Sequence, residues 1–312
     1  MTCPNKVETE TVTSDSYFSK ATAYLSRKFM SGRVHPMEDI VKKCRINKFD
    51  IWALGITVVI GGQYFSWNYG LSAGFGSYLI ATVLMGTSYL CLCLCVSEIS
   101  SALPFAGGAY GLARCTLGFY LGYLIGCFET FEYIIYVAVS TVLLGEMFSS
   151  FIPDVYQPLI WLAFFGTALF IHINGGHLFW KSNFFFAIVS ITILLIYSFG
   201  SFHYAHLNVN AAENNGTWFR GGMFEFVKVF PISAWFFVGV EALNFACNDI
   251  DNPRVNIPFG QISCIITLNI TAILVIFAAN SLPPGIDSLK SDLNPLNTGL
   301  LNCKRILFQK SD

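Results

Sequence analysis

From residue 51 onward the chain is a succession of long apolar runs separated by short polar stretches rich in glycine, proline and asparagine. The runs cover 51–71, 78–96, 117–148, 158–173, 184–202, 224–247 and 259–279. A helix needs about 20 apolar residues to cross a hydrocarbon core about 30 Å thick, and most of these runs come close to that. Their length, and the need to satisfy every backbone polar group inside the segment, predict membrane-spanning helices rather than strands. The expected organisation is a basic N-terminal tail over 1–49, a transmembrane domain over 50–280 and an outer loop with a charged tail over 281–312. The first run starts too far along the chain for a cleaved signal peptide, so the first span itself is expected to direct insertion.

Two of the seven runs break the pattern. The first carries Gly61-Gly62-Gln63 near its middle, where glycines weaken a helix and a glutamine brings amide groups into hydrocarbon. The sixth carries Pro231, then Gly239 and Glu241 at membrane depth. Taken singly, the glycines would serve close helix approach and the proline a kink. An early interruption matched by another five spans later points instead to two broken helices in an inverted-repeat architecture, with a site at the membrane midplane.

Composition agrees with a lipid-facing surface. The chain is 54% hydrophobic and 12% charged, with 30 Phe against 18 Lys plus Arg and a mean hydropathy of +0.57; so few charges cannot cover a water-soluble surface. A net charge of −1 gives no footprint for nucleic acid. Nine of the 18 basic residues precede the first span, among them Lys42, Lys43, Arg45 and Lys48. The bias of Lys and Arg therefore places the N-terminus in the cytoplasm, together with Arg114, Lys181 and Arg254. That orientation puts the glycosylation sequon at Asn215 in the outer loop between the fifth and sixth spans. A second match, at Asn269, lies mid-span. Cys91, Cys93, Cys95, Cys127, Cys247 and Cys264 lie within apolar runs and read as unpaired packing residues. No metal-ligand spacing, nucleophile elbow or phosphate loop is present in the sequence, so neither a cofactor nor an enzyme activity is expected.

Two stretches resemble a known family. Ser97 to Tyr110 reads S-E-I-S-S-A-L-P-F-A-G-G-A-Y and is similar to the E-L-x-x-x-x-P-x-x-G-G-x-Y loop of the amino acid–polyamine–organocation permeases. Phe237 to Glu241, F-V-G-V-E, followed by Asn252 to Pro258, N-P-R-V-N-I-P, resembles the same family's F-x-G-x-E and N-P-x-x-x-I-P signature. Within that family, Gly62 to Leu71 and the stretch from Phe131 to Gly145 are similar to the ethanolamine permease branch. The resemblance covers about residues 48 to 300 and implies a five-plus-five inverted-repeat transporter of ten or more spans. Two departures stand out. Gln63 occupies a place where the family usually has a small residue, and the apolar runs stop after the seventh.

The break chemistry gives the candidate site. Where a helix is interrupted, the second half aims N–H groups at the gap and the first half aims carbonyls. Amides following Gly61 and Gly62 would hold a carboxylate, and carbonyls near Ile60 and around Phe236 and Gly239 an ammonium. Gln63 adds a side-chain amide at the same level. Ethanolamine, which has no carboxylate, would use only the cationic half. The resemblance places Trp235 as an aromatic gate, whose face also suits an ammonium. Glu241 either orders the inner half of the sixth span or titrates during the cycle. Glu129 and Glu132 lie three apart on the third span, and a carboxylate there would bind an amine or carry a coupled proton. The branch resemblance favours Glu132; a neutral acid bonded to a neighbouring helix is the alternative. Gly118, Gly122 and Gly126 read as a packing groove, and His172, His177, His203 and His206 as interfacial or solvated residues.

The expectation is an all-α, multi-pass membrane protein of about seven spans, the first and sixth broken. It would move a small amino acid or an ethanolamine-like amine by alternating access across the plasma membrane rather than an internal one, coupled to H⁺ or Na⁺ or by exchange. The rivals are a truncated, non-transporting fragment and a seven-helix receptor. Because only the broken helix and one partner of a second repeat are present, the chain as written is expected not to transport.

Overall fold

The computed structural model describes residues 46–102, 107–152, 156–202, 218–248, 250, 252–283, 285–292 and 295–296. Residues 1–45 of the N-terminal tail, Pro104 of the first motif, His203, His206, Asn215 and the charged tail from Asn302 lie outside the described residues. Among those described, every regular element is helical. They are α1 (Lys48–Val59), α2 (Gly61–Tyr64), a 3-10 stretch (Trp67–Ala73), α3 (Phe75–Ala102), α4 (Gly108–Thr116), α5 (Phe119–Phe151), α6 (Gln157–Asn174), α7 (Gly176–Ser201) and α8 (Gly222–Val229). Two further 3-10 stretches (Phe230–Phe236 and Val240–Asn248), α9 (Pro253–Ser281) and α10 (Ile286–Leu289) complete the order.

Among the described residues, six segments are long and apolar enough to cross a membrane: Phe75–Ala102, Phe119–Ser149, Gln157–Asn174, Gly176–Ser201, Gly222–Cys247 and Pro253–Ser281. The seventh expected span, the first, falls short as a single helix because it is divided into α1, α2 and a 3-10 stretch. The protein is an all-α, multi-pass integral membrane protein. Backbone punctuation sets the helix starts. Asp50 Oδ2 accepts the Asn47 amide at 2.8 Å and caps α1. Gly118 precedes α5 at φ 93°, and the turn between α6 and α7 is made by Gly175 and Gly176 at φ 53° and 51°, a region glycine enters at little cost. The fifth span thus begins at Gly176, eight residues earlier than the apolar run, because Trp180, Lys181 and Asn183 join the helix.

α9 is the centre of the bundle, packing on α1, α3 and α7. Its buried positions include Ile257, Gln261, Cys264, Ile265, Leu268, Ala272, Val275 and Ile276, a stripe at helical spacing. In lipid the apolar contrast between helix and surroundings is lost, so close packing supplies the attraction and small residues let backbones approach. A Cβ on Gly55 would stand 2.7 Å from Cys264 Sγ, and one on Gly260 would stand 2.5 Å from Ile51 Cγ2. α5 and α6 are peripheral, and α6 contributes no buried residue. The expected glycine groove of α5 is partly as read: Gly122 meets the Arg114 backbone and Gly126 the Tyr110 ring, both on α4, whereas Gly118 meets nothing and serves the turn.

Candidate functional site at the two helix breaks

The first break opens where α1 ends. The Ile60 amide closes α1 on Ile56 O at 2.9 Å, and the Gln63 amide turns back to Ile60 O at 2.9 Å. Phe65 is extended and Ser66 sits at φ 64°, so a second irregular turn follows α2. The sixth span has its own break. After Pro231, which lacks an N–H and cannot continue an α-helix ladder, the chain runs as 3-10 helix to Phe236. Gly239, at φ 102°, then re-aims it into the second 3-10 stretch.

The two breaks touch. A Cβ on Gly62 would lie 1.9 Å from the Trp235 carbonyl oxygen, and one on Gly239 would lie 2.9 Å from Val58 Cγ1. Trp235 Nε1 donates to Phe65 O at 2.9 Å. α5 supplies the third wall, for Tyr136 OH donates to Val58 O at 3.1 Å, and its ring lies 5.5 Å from that of Trp235. Gly61 faces the same hydroxyl. Backbone N–H groups, a phenol and an indole therefore converge on one point between three spans.

Of the residues singled out from the sequence, Ile60, Gly61, Gly62, Trp235 and Gly239 are brought together. Others lie apart. Gln63 is fully buried and turned away, its Nε2 donating to Leu268 O on α9 at 3.1 Å. The Phe236 ring is buried against Trp67, with 5.7 Å between ring centroids. Glu241 accepts from Tyr133 OH at 3.3 Å. Glu132 is exposed on α5, whereas Glu129, three residues before it, is buried and accepts the Tyr110 amide at 3.3 Å.

Sequence reading missed several participants. Tyr133 and Tyr136 fall at i+4 and i+7 from Glu129, on one stripe of α5, and that spacing was the available signal. α7 also holds both sides of the first break. Thr57 Oγ1 lies 2.8 Å from Asn183 Oδ1, and Tyr64 OH donates to Ser190 O at 2.7 Å. Near the C-terminal end of the sixth span, Ser100 Oγ donates to Asn244 Oδ1 at 2.7 Å, fastening that span to α3.

Two interrupted helices in contact, flanked by continuous ones, thus lie within the bundle of this membrane protein. The amino acid permease family model matches residues 54–300, and the chain belongs to that family. It is thus a member of the amino acid–polyamine–organocation superfamily, a class of transporters rather than enzymes, and the family assignment replaces the seven-helix receptor reading. The chain is 24% identical over 249 residues to an uncharacterized transporter of Rhizobium meliloti, covering 75% of this chain and 52% of the relative. It is 26% identical over 223 residues to a putative histidine permease of Bacillus subtilis, covering 67% and 46%, respectively. With a methylthioribose transporter of the same organism it shares 25% over 261 residues, covering 77% and 55%. The chain thus spans about half the length of the curated relatives it matches.

Proposed function

We propose that the protein takes part in transmembrane transport of a small amino acid or an ethanolamine-like amine, bound between the broken first and sixth spans. The observation that carries this reading is the contact of Gly62 with the Trp235 carbonyl, where the amides of Gly61 and Gly62 open the short helix after the break. A carboxylate would accept from those amides, and an ammonium would lie against the Trp235 and Tyr136 rings and the carbonyls of the first half. Since Gly62 and Trp235 are packed together, substrate enters when the two broken spans part, and alternating access follows from their relative movement. In this scheme Glu241 and Glu132 are the carboxylates that would respond to a coupling proton. The N-terminal tail lies in the cytoplasm and the membrane is the plasma membrane.

The test is binding of radiolabelled small amino acids and ethanolamine to the purified chain in nanodiscs, followed by counterflow in vesicles with sodium and proton gradients imposed separately. Saturable binding that Trp235→Ala weakens about tenfold, and that Glu132→Gln changes in its pH dependence, is expected. Unchanged binding in both variants would remove these side chains from the site. An absence of saturable binding for the whole panel would overturn the substrate class.

A further inference from the structure

An open cavity of about 530 Å³ lies beside α5, and none of Gly61, Gly62, Trp235 and Gly239 lines it. Its walls include Tyr110, Tyr123, Phe131, Tyr133 and Phe245, contributed by α4, α5 and the sixth span, with Glu129 among them. Glu129 is only 9% exposed. One carboxylate oxygen accepts the Tyr110 amide at 3.3 Å, in the first turn of α4, where an anion is favoured. The other, Oε1, is buried without a hydrogen-bond partner. Capping α4 accounts for one oxygen and leaves the second unexplained, and a buried acceptor without a donor is costly.

The geometry points to a second ligand site here, for an organic ammonium carrying an apolar tail. A protonated amine supplies the donor that Glu129 Oε1 lacks. The surrounding tyrosine and phenylalanine rings offer negative faces to the cation and apolar contact to its tail. The volume falls in the range of small-molecule sites and leaves room for more than an ammonium head alone. An anion is disfavoured, because the one buried charged side chain in the lining is a carboxylate. Arg114, the nearest basic side chain on α4, is engaged with Tyr110 OH at 2.9 Å. Tyr133 both lines this cavity and donates to Glu241, so an occupant would sit one hydrogen bond from the broken sixth span.

The experiment uses the full 312-residue chain in nanodiscs, with 2-phenylethylammonium as probe and neutral 2-phenylethanol as its uncharged counterpart, read by calorimetry and saturation-transfer NMR. Glu129→Gln removes the charge but keeps an oxygen for the Tyr110 amide, so α4 remains capped. The expected result is saturable amine binding, at least about tenfold tighter than the alcohol, and weakened about tenfold by Glu129→Gln and several-fold by Phe245→Ala. Trp235→Ala leaves the Glu129-dependent part of this binding unchanged, which separates it from the site at the breaks. No binding to the native chain, equal affinity for amine and alcohol, or loss in Trp235→Ala but not in Glu129→Gln would each overturn the proposal. Should Glu129→Gln not fold by circular dichroism, Phe245→Ala decides: full affinity in that variant overturns it.

Discussion

At Gly62 a single hydrogen atom separates contact from collision. Gly62→Ala places a methyl group 1.9 Å from a main-chain oxygen, and backbone yields less readily than a side-chain tip. The expected outcome is a loss of about 1–3 kcal/mol of stability, read as a lower unfolding midpoint, together with loss of substrate binding. Gly61→Ala is the control: its Cβ meets the Tyr136 hydroxyl at 3.2 Å, the far end of a movable side chain, so its midpoint should fall less. Equal effects of the two would deny the backbone contact its role. Gly61, Gly62 and Gly239 stand out in the sequence because glycine is conspicuous in an apolar run, and Trp235 stands out through the family resemblance. Tyr136 does not, since it is one of 14 tyrosines and its acceptor, Val58 O, lies 78 positions away in the sequence. The turn of Gln63 toward α9 depends on a carbonyl of another helix and was equally hidden.

Among the elements, the spans were legible as apolar runs, but their ends were not. A helix apolar on all sides has no amphipathic edge at which periodicity could stop, and only glycine and proline punctuation fixes it, as before α5, α7 and α9. The replacement of α-helix by 3-10 helix through most of the sixth span was equally invisible, beyond the hint of Pro231. The link between α1 and α7 can be measured. Thr57→Val keeps the side-chain shape and removes the hydroxyl that meets Asn183. A double-mutant cycle with Asn183→Leu should give a coupling of about 0.6 kcal/mol, the average for polar contacts between membrane helices. A coupling of zero would make the contact incidental.

For the molecule as a whole, the bundle is densest around α9 and thins toward α5 and α6. Glu132 is exposed on α5, and a carboxylate at membrane depth is costly against lipid. Topology is open to direct measurement: with the tail inside, glycosylation at Asn215 should give an endoglycosidase-sensitive mass shift that Asn215→Gln abolishes. A shift that survives the substitution would point to another acceptor and count against the inside tail.

The two attachments of the first span to α7 have a mechanical meaning. Thr57 and Tyr64 are seven residues apart across the break, and so are Asn183 and Ser190 on the unbroken helix they meet. Seven residues of α-helix measure about 10 Å, so α7 acts as a splint of fixed length laid along a fracture. A segment pinned at two points can roll about the line joining the pins but can neither slide along it nor lengthen. While both pins hold, the gap at Gly61 and Gly62 keeps its span, and movement there is confined to rotation; release of either pin turns the splint into a hinge.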